Sequence, residues 1–251
     1  MEAKPYLKEV ILQRELVPSF NEYPFNIPAV KSLQSLKFHH DVTFIVGENG
    51  SGKSTLIEAI ALSLGFSTEG GTINTQFHTH QNSSGLYQYL RNIKSYRKPS
   101  DYFFLRAESF YNVATYMEDV YDLDKPKELE KFVAQYGVES LHKCSHGESF
   151  IALLTNKLRG RGLYIFDEPE AALSPSRQLA ALSSISALVN QNSQFIIATH
   201  SPILLAYPGA IIYQLDENGI RQVKYEETEH YIVTKHFLSN YKEMLGILME
   251  E

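Results

Sequence analysis

The run Gly47-Glu48-Asn49-Gly50-Ser51-Gly52-Lys53-Ser54 constrains this chain more than any other stretch. Its G-x-x-x-x-G-K-[ST] spacing is that of a phosphate-binding loop. Glycines let backbone N–H groups curl around phosphate oxygens without a Cβ in the way. Lys53 has the reach to meet the β- and γ-phosphates, and the Ser54 hydroxyl suits Mg²⁺, with Thr55 completing the run. The apolar residues Val42–Val46 predict a strand leading in, and Lys53–Leu64 predict a helix whose positive end faces the anion. A mere glycine-rich turn would leave both flanks unexplained.

A second apolar strand, Leu163–Phe166, ends in Asp167, Glu168 and Pro169. Phosphoryl transfer needs one acid to hold hydrated Mg²⁺ and another to orient or deprotonate the attacking water, which suits Asp167 and Glu168 respectively. Asp-Glu-Pro alone could be a turn; beside a phosphate loop, both features serve one reaction. A third strand, Phe195–Ala198, runs into Thr199-His200-Ser201-Pro202. His200 can cap a helix, sit satisfied in a core or sense a γ-phosphate, and its place after the acidic pair favours the sensor. Ser145, with Glu148 three residues on, forms a capping-box pattern at the head of a helix read as Gly147–Arg159. A helix N-terminus with a serine and the close-approach Gly147 also suits an anion.

Strands Tyr102–Leu105 and Ile211–Leu215, with a helix over Arg177–Asn190, continue the strand–helix alternation. The fold class is therefore α/β, with a buried, mostly parallel sheet covered on both faces. Leu7–Val17 reads as an added antiparallel strand, and Leu86–Lys94 fits helix or strand equally well. Residues 1–251 are expected to form one domain, with 109–146 as a small helical lobe and Pro126 opening a helix within it. One cysteine, Cys144, excludes an internal disulfide. The N-terminus lacks an apolar signal core, and Phe195–Ile212 is too interrupted for a membrane span. A cytoplasmic location without membrane insertion is the expectation.

The order of phosphate loop, Phe103-Phe104-Leu105-Arg106-Ala107-Glu108, Ser145-His146-Gly147-Glu148 helix, acidic pair and Thr199-His200-Ser201-Pro202 resembles ABC-type ATPases. Within them it is similar to the branch of SMC, RecF-type and overcoming-lysogenization-defect ATPases, and most similar to small stand-alone bacterial predicted ATPases. The resemblance extends through Phe103–Thr115 and Tyr225–Leu238. It implies a P-loop fold, ATP and Mg²⁺ as ligands, and hydrolysis by Glu168 with His200 and Lys53. It also implies an ATP-dependent homodimer, in which Ser145, Gly147 and Glu148 of one copy clamp the γ-phosphate held by the other copy's Gly47–Thr55. Ala172–Pro175 would cross between the subunits.

There are departures. His146 replaces the second signature glycine, Cys144 replaces a leucine, and Glu108 stands where the family's Mg²⁺-contacting glutamine is expected. Tyr23 and Phe25 are candidates to stack on adenine. Roughly 35 residues without heptads fill the place of the long SMC coiled coil, so an unidentified protein partner or the lobe is expected to do the work. A switch or motor in DNA maintenance or defence is the leading function. A transporter's nucleotide-binding subunit is disfavoured by Glu148, where transporters carry Gln. A scaffold that hardly hydrolyses ATP is disfavoured by Glu168.

A net charge of −6 excludes a wholesale DNA-coating protein. Arg91, Lys94, Arg97 and Lys98 read as a solvated face or as a patch for weak DNA binding. Lys157, Arg159 and Arg161 read as a solvated face. His78 and His80, with His39 and His40 elsewhere, form a poor metal set without an accompanying cysteine or carboxylate cluster.

Overall fold

The computed structural model describes residues 4–73 and 84–249. Six strands form the central sheet in the order β5-β6-β7-β3-β8-β9. They are β3 (Val42–Gly47), β5 (Asp101–Arg106), β6 (Gly162–Asp167), β7 (Gln194–Ala198), β8 (Ile211–Asp216) and β9 (Gly219–Val223). All neighbours are parallel except β8 and β9, which form a hairpin. A separate antiparallel sheet, in the order β2-β1-β4, contains β1 (Leu7–Leu12), β2 (Ser35–Lys37) and β4 (Leu90–Lys94).

Continuous apolar strands work here because successive side chains feed opposite cores. Phe103, Leu105, Tyr164, Phe166, Phe195 and Ile197 enter one cluster. That cluster also takes residues of α3 (Phe110–Asp119), α4 (Pro126–Tyr136), α5 (His146–Ala152) and α6 (Pro175–Asn190). Phe104, Leu163, Ile165 and Ile196 enter the other, with α2 (Lys53–Leu64), α1 (Pro28–Ser32) and the antiparallel sheet. The α/β class, the mostly parallel sheet and the antiparallel N-terminal part are as the sequence predicts.

Two local expectations are corrected, and one left open is decided. β1 stops at Leu12, opposite Leu90, where its pairing with β4 runs out; Arg14–Leu16 is a 3₁₀ turn, not strand. The helix expected over Gly147–Arg159 is regular only to Ala152 and continues as a π turn over Leu153–Lys157. Thr155 donates its hydroxyl to the Ile151 carbonyl and Asn156 its amide to that of Ala152, competing with the helical ladder. Leu86–Lys94 is both structures in turn: 3₁₀ over Leu86–Tyr89, then strand.

A buried amide links the two sheets. Gln194, fully buried, accepts at Oε1 from the Tyr6 and Leu7 N–H groups at 2.8 and 3.0 Å. Its Nε2 donates to the Leu7 and His39 carbonyls, both at 2.9 Å. Every hydrogen-bonding site of the side chain is thus used, three of them on the buried backbone of Tyr6 and Leu7. Gln194→Leu leaves these groups unpaired at one to a few kcal/mol each, so a loss of about 3 kcal/mol or more is expected. For a chain of this size that corresponds to a Tm drop of roughly 6–12 °C. Thermal and urea melts check it; a variant as stable as the parent would remove Gln194 from this joining role.

Candidate active site

The central strands deliver their C-terminal ends to one edge, where open α/β sheets bind ligands. β3 ends in the phosphate loop, β6 in Asp167 and Glu168, β7 in Thr199 and His200, and β5 in Arg106, whose register partner is Asp167. Gly52 sits at φ +95°, and a Cβ there would meet Ile27 at 2.7 Å, so only glycine turns the chain into α2 at this point. No side chain caps α2, leaving its first N–H groups to an anion.

Lys53 is almost wholly buried and donates to the Glu48 carbonyl at 3.0 Å. Burial lowers its pKa, while Glu168, Asp167 and Glu170 pull it back up. Asp167 is likewise buried, with Oδ1 at 3.3 Å from the Ser54 hydroxyl that donates to it. Its carboxyl is pushed up to about 6, chiefly by desolvation and secondarily by Glu168, against the lowering influence of Arg106. Arg106 pairs with Glu58 at 2.6 Å and lies 3.7 Å from Asp167 and 3.6 Å from Glu108. Buried Ser51 Oγ and Arg106 Nε have no hydrogen-bond partner within the protein. A desolvated carboxylate, a serine oxygen and further carboxylates are hard oxygen donors that fit Mg²⁺, and unsatisfied groups beside the loop fit a phosphate.

Glu168 occupies the left-handed region at φ 52°, uncommon for a glutamate, and its N–H donates to the Ala198 carbonyl. That turn brings its carboxylate to 3.3 Å from His200 Nε2, close enough for attraction though not aligned as a hydrogen bond. His200 is held from behind by Glu170, which accepts its backbone N–H at 2.5 Å and the Thr199 hydroxyl at 2.7 Å. His200 Nδ1 lies 3.0 Å from His230 Nε2, on the first turn of α7 (Glu229–Met249).

The cap on α5 forms as the sequence predicts. Ser145 Oγ accepts from the Glu148 N–H, and the Glu148 carboxylate accepts from the Ser145 N–H. Arg177 adds donors to Ser145 Oγ and to Glu148, both at 3.0 Å. A Cβ on Gly147 would meet Arg177 at 2.6 Å and the Ala172 carbonyl at 2.7 Å, so this glycine is required by packing within the chain. Ser145, His146 and Gly147 face Ser54, Glu108, Asp167, Glu168 and Arg177 across a cleft of about 540 Å³.

The remaining sequence candidates divide. Glu108 reaches the cleft but is almost fully exposed and pairs with Arg106. Tyr23 is exposed, with its hydroxyl 3.5 Å from the Thr55 hydroxyl. Phe25 is instead core, edge-on to Tyr89 at 5.0 Å, and offers no face to a base. Of the expected solvated basic face, Arg159 and Arg161 are exposed, whereas Lys157 departs from it: burial lowers its pKa, and it lies over the Tyr136 ring. His78 and His80 lie outside the described residues. His39 and His40 do adjoin a carboxylate, Asp41, but the Lys4 ammonium already occupies it. Sequence reasoning missed Arg106, Glu170, Arg177 and His230 as site residues. Only Arg106 carried a signal, a charge ending an apolar strand.

Residues 24–222 match the family model of the RecF/RecN/SMC N terminal domain. No curated protein matches the chain's sequence. Among solved structures, it is similar to cbiO1 from Clostridium perfringens, described as part of the ABC transporter complex cbiONQ. That pair is 16% identical with a TM-score of 0.51, covering 98% of this chain and 100% of that one. It is also similar to an SMC head bound to the C-winged helix domain of ScpA, at 15% identity and TM-score 0.50, covering 87% and 98%. At such identities these likenesses show the fold, that of ABC-type P-loop ATPases.

The raised pKa of Asp167 has a measurable consequence without nucleotide or metal. Between about pH 4 and 6 the folded chain keeps a proton that the unfolded chain has lost, so stability falls as pH rises through that window. Asp167→Asn, neutral throughout, should exceed the parent in stability above pH 6 by on the order of 2–3 kcal/mol, with the gain shrinking toward pH 4. Melts in chelator at pH 4.5 and 8 check this; equal gains at both would contradict it.

Proposed function

Because the chain belongs to the RecF/RecN/SMC N-terminal domain family, a family of ATPases, we propose that it binds ATP with Mg²⁺, pairs with a second copy and hydrolyses the γ-phosphate. The observation that carries the reading is the convergence of Lys53, Ser54, Asp167, Glu168 and His200 at one sheet edge, with Glu168 held in a left-handed turn.

The residues divide the work as follows. Backbone N–H groups of Gly47–Thr55 and the head of α2 take the phosphates, and Lys53 neutralises β- and γ-oxygens. Ser54 and Asp167 would hold Mg²⁺, with Glu108 in reach of the same cleft, and the ion would supply positive charge to offset that of the phosphates. Glu168 orients a water in line with the γ-phosphorus and accepts its proton. The new P–O bond forms as the bond to the bridging oxygen breaks, and ADP leaves with that electron pair. His200 presents an N–H to the γ-phosphate. Residues 1–251 act as one catalytic unit with 109–146 as its lobe, in keeping with the shared apolar cluster of α3, α4 and β5–β7.

Pairing is supported by the exposure of the α5 cap to a second molecule, with Ser145 and Glu148 at the surface. The nucleotide would be clamped between that cap and the other copy's loop. An output to a protein partner is supported by exposed Ile232, Val233, Leu238, Tyr241 and Ile247 on α7. Among the described residues no helix is long and apolar enough to cross a membrane, which suits work in the cytoplasm.

Glu168→Gln should bind ATP, lose turnover and accumulate a dimer in Mg²⁺–ATP, because the clamp persists once hydrolysis stops. Adding Ser145→Arg should abolish that dimer while each chain still binds ATP, since a cation then opposes the helix dipole at the clamp. Lys53→Ala should lose nucleotide binding or turnover. Analytical ultracentrifugation and nucleotide titration test all three. A Glu168→Gln chain that stays monomeric at micromolar concentration sinks the pairing, and a turnover unaffected by Lys53→Ala sinks the site.

Nucleic acid is the second reading, favoured by Arg91 and Lys94 exposed on the edge strand β4, with Arg97 stacked on Tyr96 beyond it. Binding would be sequence-independent, ATP-dependent and steeply weakened by salt. Anisotropy of a short duplex with Glu168→Gln and ATP at about 50 mM salt should then rise, and not without nucleotide. No rise in either state returns the cluster to a solvated face.

A further inference from the structure

The phosphate-sensing histidine is not held by its own loop alone. His200 Nε2 faces the Glu168 carboxylate at 3.3 Å, and its other nitrogen faces His230 Nε2 at 3.0 Å. A carboxylate only accepts hydrogen bonds, and so does a phosphate oxygen, so the useful form of His200 carries its hydrogen on Nε2. A neutral imidazole has one such hydrogen. Nδ1 is then a bare lone pair, and whatever faces it at 3.0 Å must donate.

We propose that His230 is a positioning residue of the hydrolysis site: it donates Nε2–H to His200 Nδ1 and so fixes the His200 tautomer that carries its hydrogen on Nε2, the nitrogen 3.3 Å from the Glu168 carboxylate, where it can meet the γ-phosphate. The inference rests on the ATPase reading of the site. Fixing the tautomer matters because a lone pair aimed at a phosphate oxygen repels it, whereas an N–H stabilises it. Without His230, water can donate to Nδ1 or accept from it, and both tautomers become accessible.

The surroundings favour a neutral donor at 230. Burial lowers the His230 pKa most, and the nearby His200 ring and Lys53 ammonium lower it further, against Glu48. Glu229 and Glu48 share the cleft with it, and Glu170 holds the His200 backbone. His230 Nδ1 is buried with no partner in the protein, as expected where one nitrogen donates and the other serves only as an idle acceptor. The first turn of α7 is fastened to the same loop a second time. The Tyr225 hydroxyl donates to the Pro202 carbonyl at 2.8 Å, and its ring packs on Tyr231 at 4.7 Å. The Thr228 hydroxyl accepts the Tyr231 N–H, so the turn that carries His230 is fixed in place before His200 is met.

The test compares His230→Ala with His230→Gln, whose amide can still donate. His230→Ala should lower kcat about tenfold, the worth of roughly one neutral hydrogen bond, with KM for ATP little changed. His230→Gln should recover most of that loss, which a merely structural role would not predict. Long-range ¹H–¹⁵N correlation of the imidazoles in nucleotide-free protein should find His200 as the Nε2–H tautomer in the parent and as a mixture in His230→Ala. The inference is overturned by parental kcat in His230→Ala, by equal impairment of both variants, or by an Nδ1–H His200 in the parent. Absence of turnover in the parent itself would instead fell the hydrolysis reading, and the tautomer measurement would still decide the role of His230.

Discussion

Asp167 and Lys53 are opposite charges held out of water at one edge of the central sheet, and much of the surrounding structure follows from keeping them there. Neither is neutralised by the other directly: Lys53 donates to a carbonyl of its own loop, and Asp167 leans on Ser54 and, at 3.7 Å, on Arg106. Burying a charge without a close partner is expensive, and the elevated Asp167 pKa is the visible sign of that cost. A polyanion and a divalent cation entering together would offset both charges. The parallel sheet is what enforces it, because β3 and β6 end at the same edge with β7 between them, and no local rearrangement can move one ligand set without breaking strand pairing.

Features that depend on neighbours in sequence were readable in advance. The phosphate loop is a backbone shape dictated by glycines, the capping box needs only Ser145 and Glu148, and the apolar strands announce burial on both faces. Features assembled across the sheet were not. Glu170 acts on β7's end, Arg177 reaches back 32 positions to Ser145, and His230 meets His200 from a helix with no buried residue. Over-long expectations failed where a periodic pattern outlasted its partner. Leu7–Val17 kept strand-like residues past the end of β4, and Gly147–Arg159 kept helical ones past Thr155 and Asn156, whose side chains claim the carbonyls. Phe25 misled for another reason: an aromatic at the right distance from a phosphate loop looks the same whether it meets a base or Tyr89.

The α5 cap shows why structural and functional readings of a motif need not compete. Its serine closes a capping box, and its glycine is demanded by Arg177 and the Ala172 carbonyl, so both residues have sufficient reasons inside one chain. Yet the same contacts aim a positive helix end and an arginine at the cleft that holds Asp167 and Glu168. Arg177 ties the cap to α6, and Ala172 ties it to the turn after Glu168. The cap therefore cannot shift without disturbing the residues that follow the acidic pair.

α7 extends this logic beyond the sheet. None of its 21 residues is buried, and it is interrupted at Asn240, where φ is −133°. A helix gains most of its stability from packing an apolar face, which α7 has not done within this chain. Its direction is therefore set at its first turn, by Tyr225 on Pro202 and by His230 on His200. Both anchors belong to the loop that follows β7, the loop whose histidine faces Glu168. With a rise of about 1.5 Å per residue, a small rotation at that turn is magnified along the roughly 17 Å of helix that precede the break at Asn240. Exposed Tyr241, Ile247 and Leu248 lie beyond that break, so the exposed apolar residues farthest from the anchored turn are the ones that such a rotation moves most.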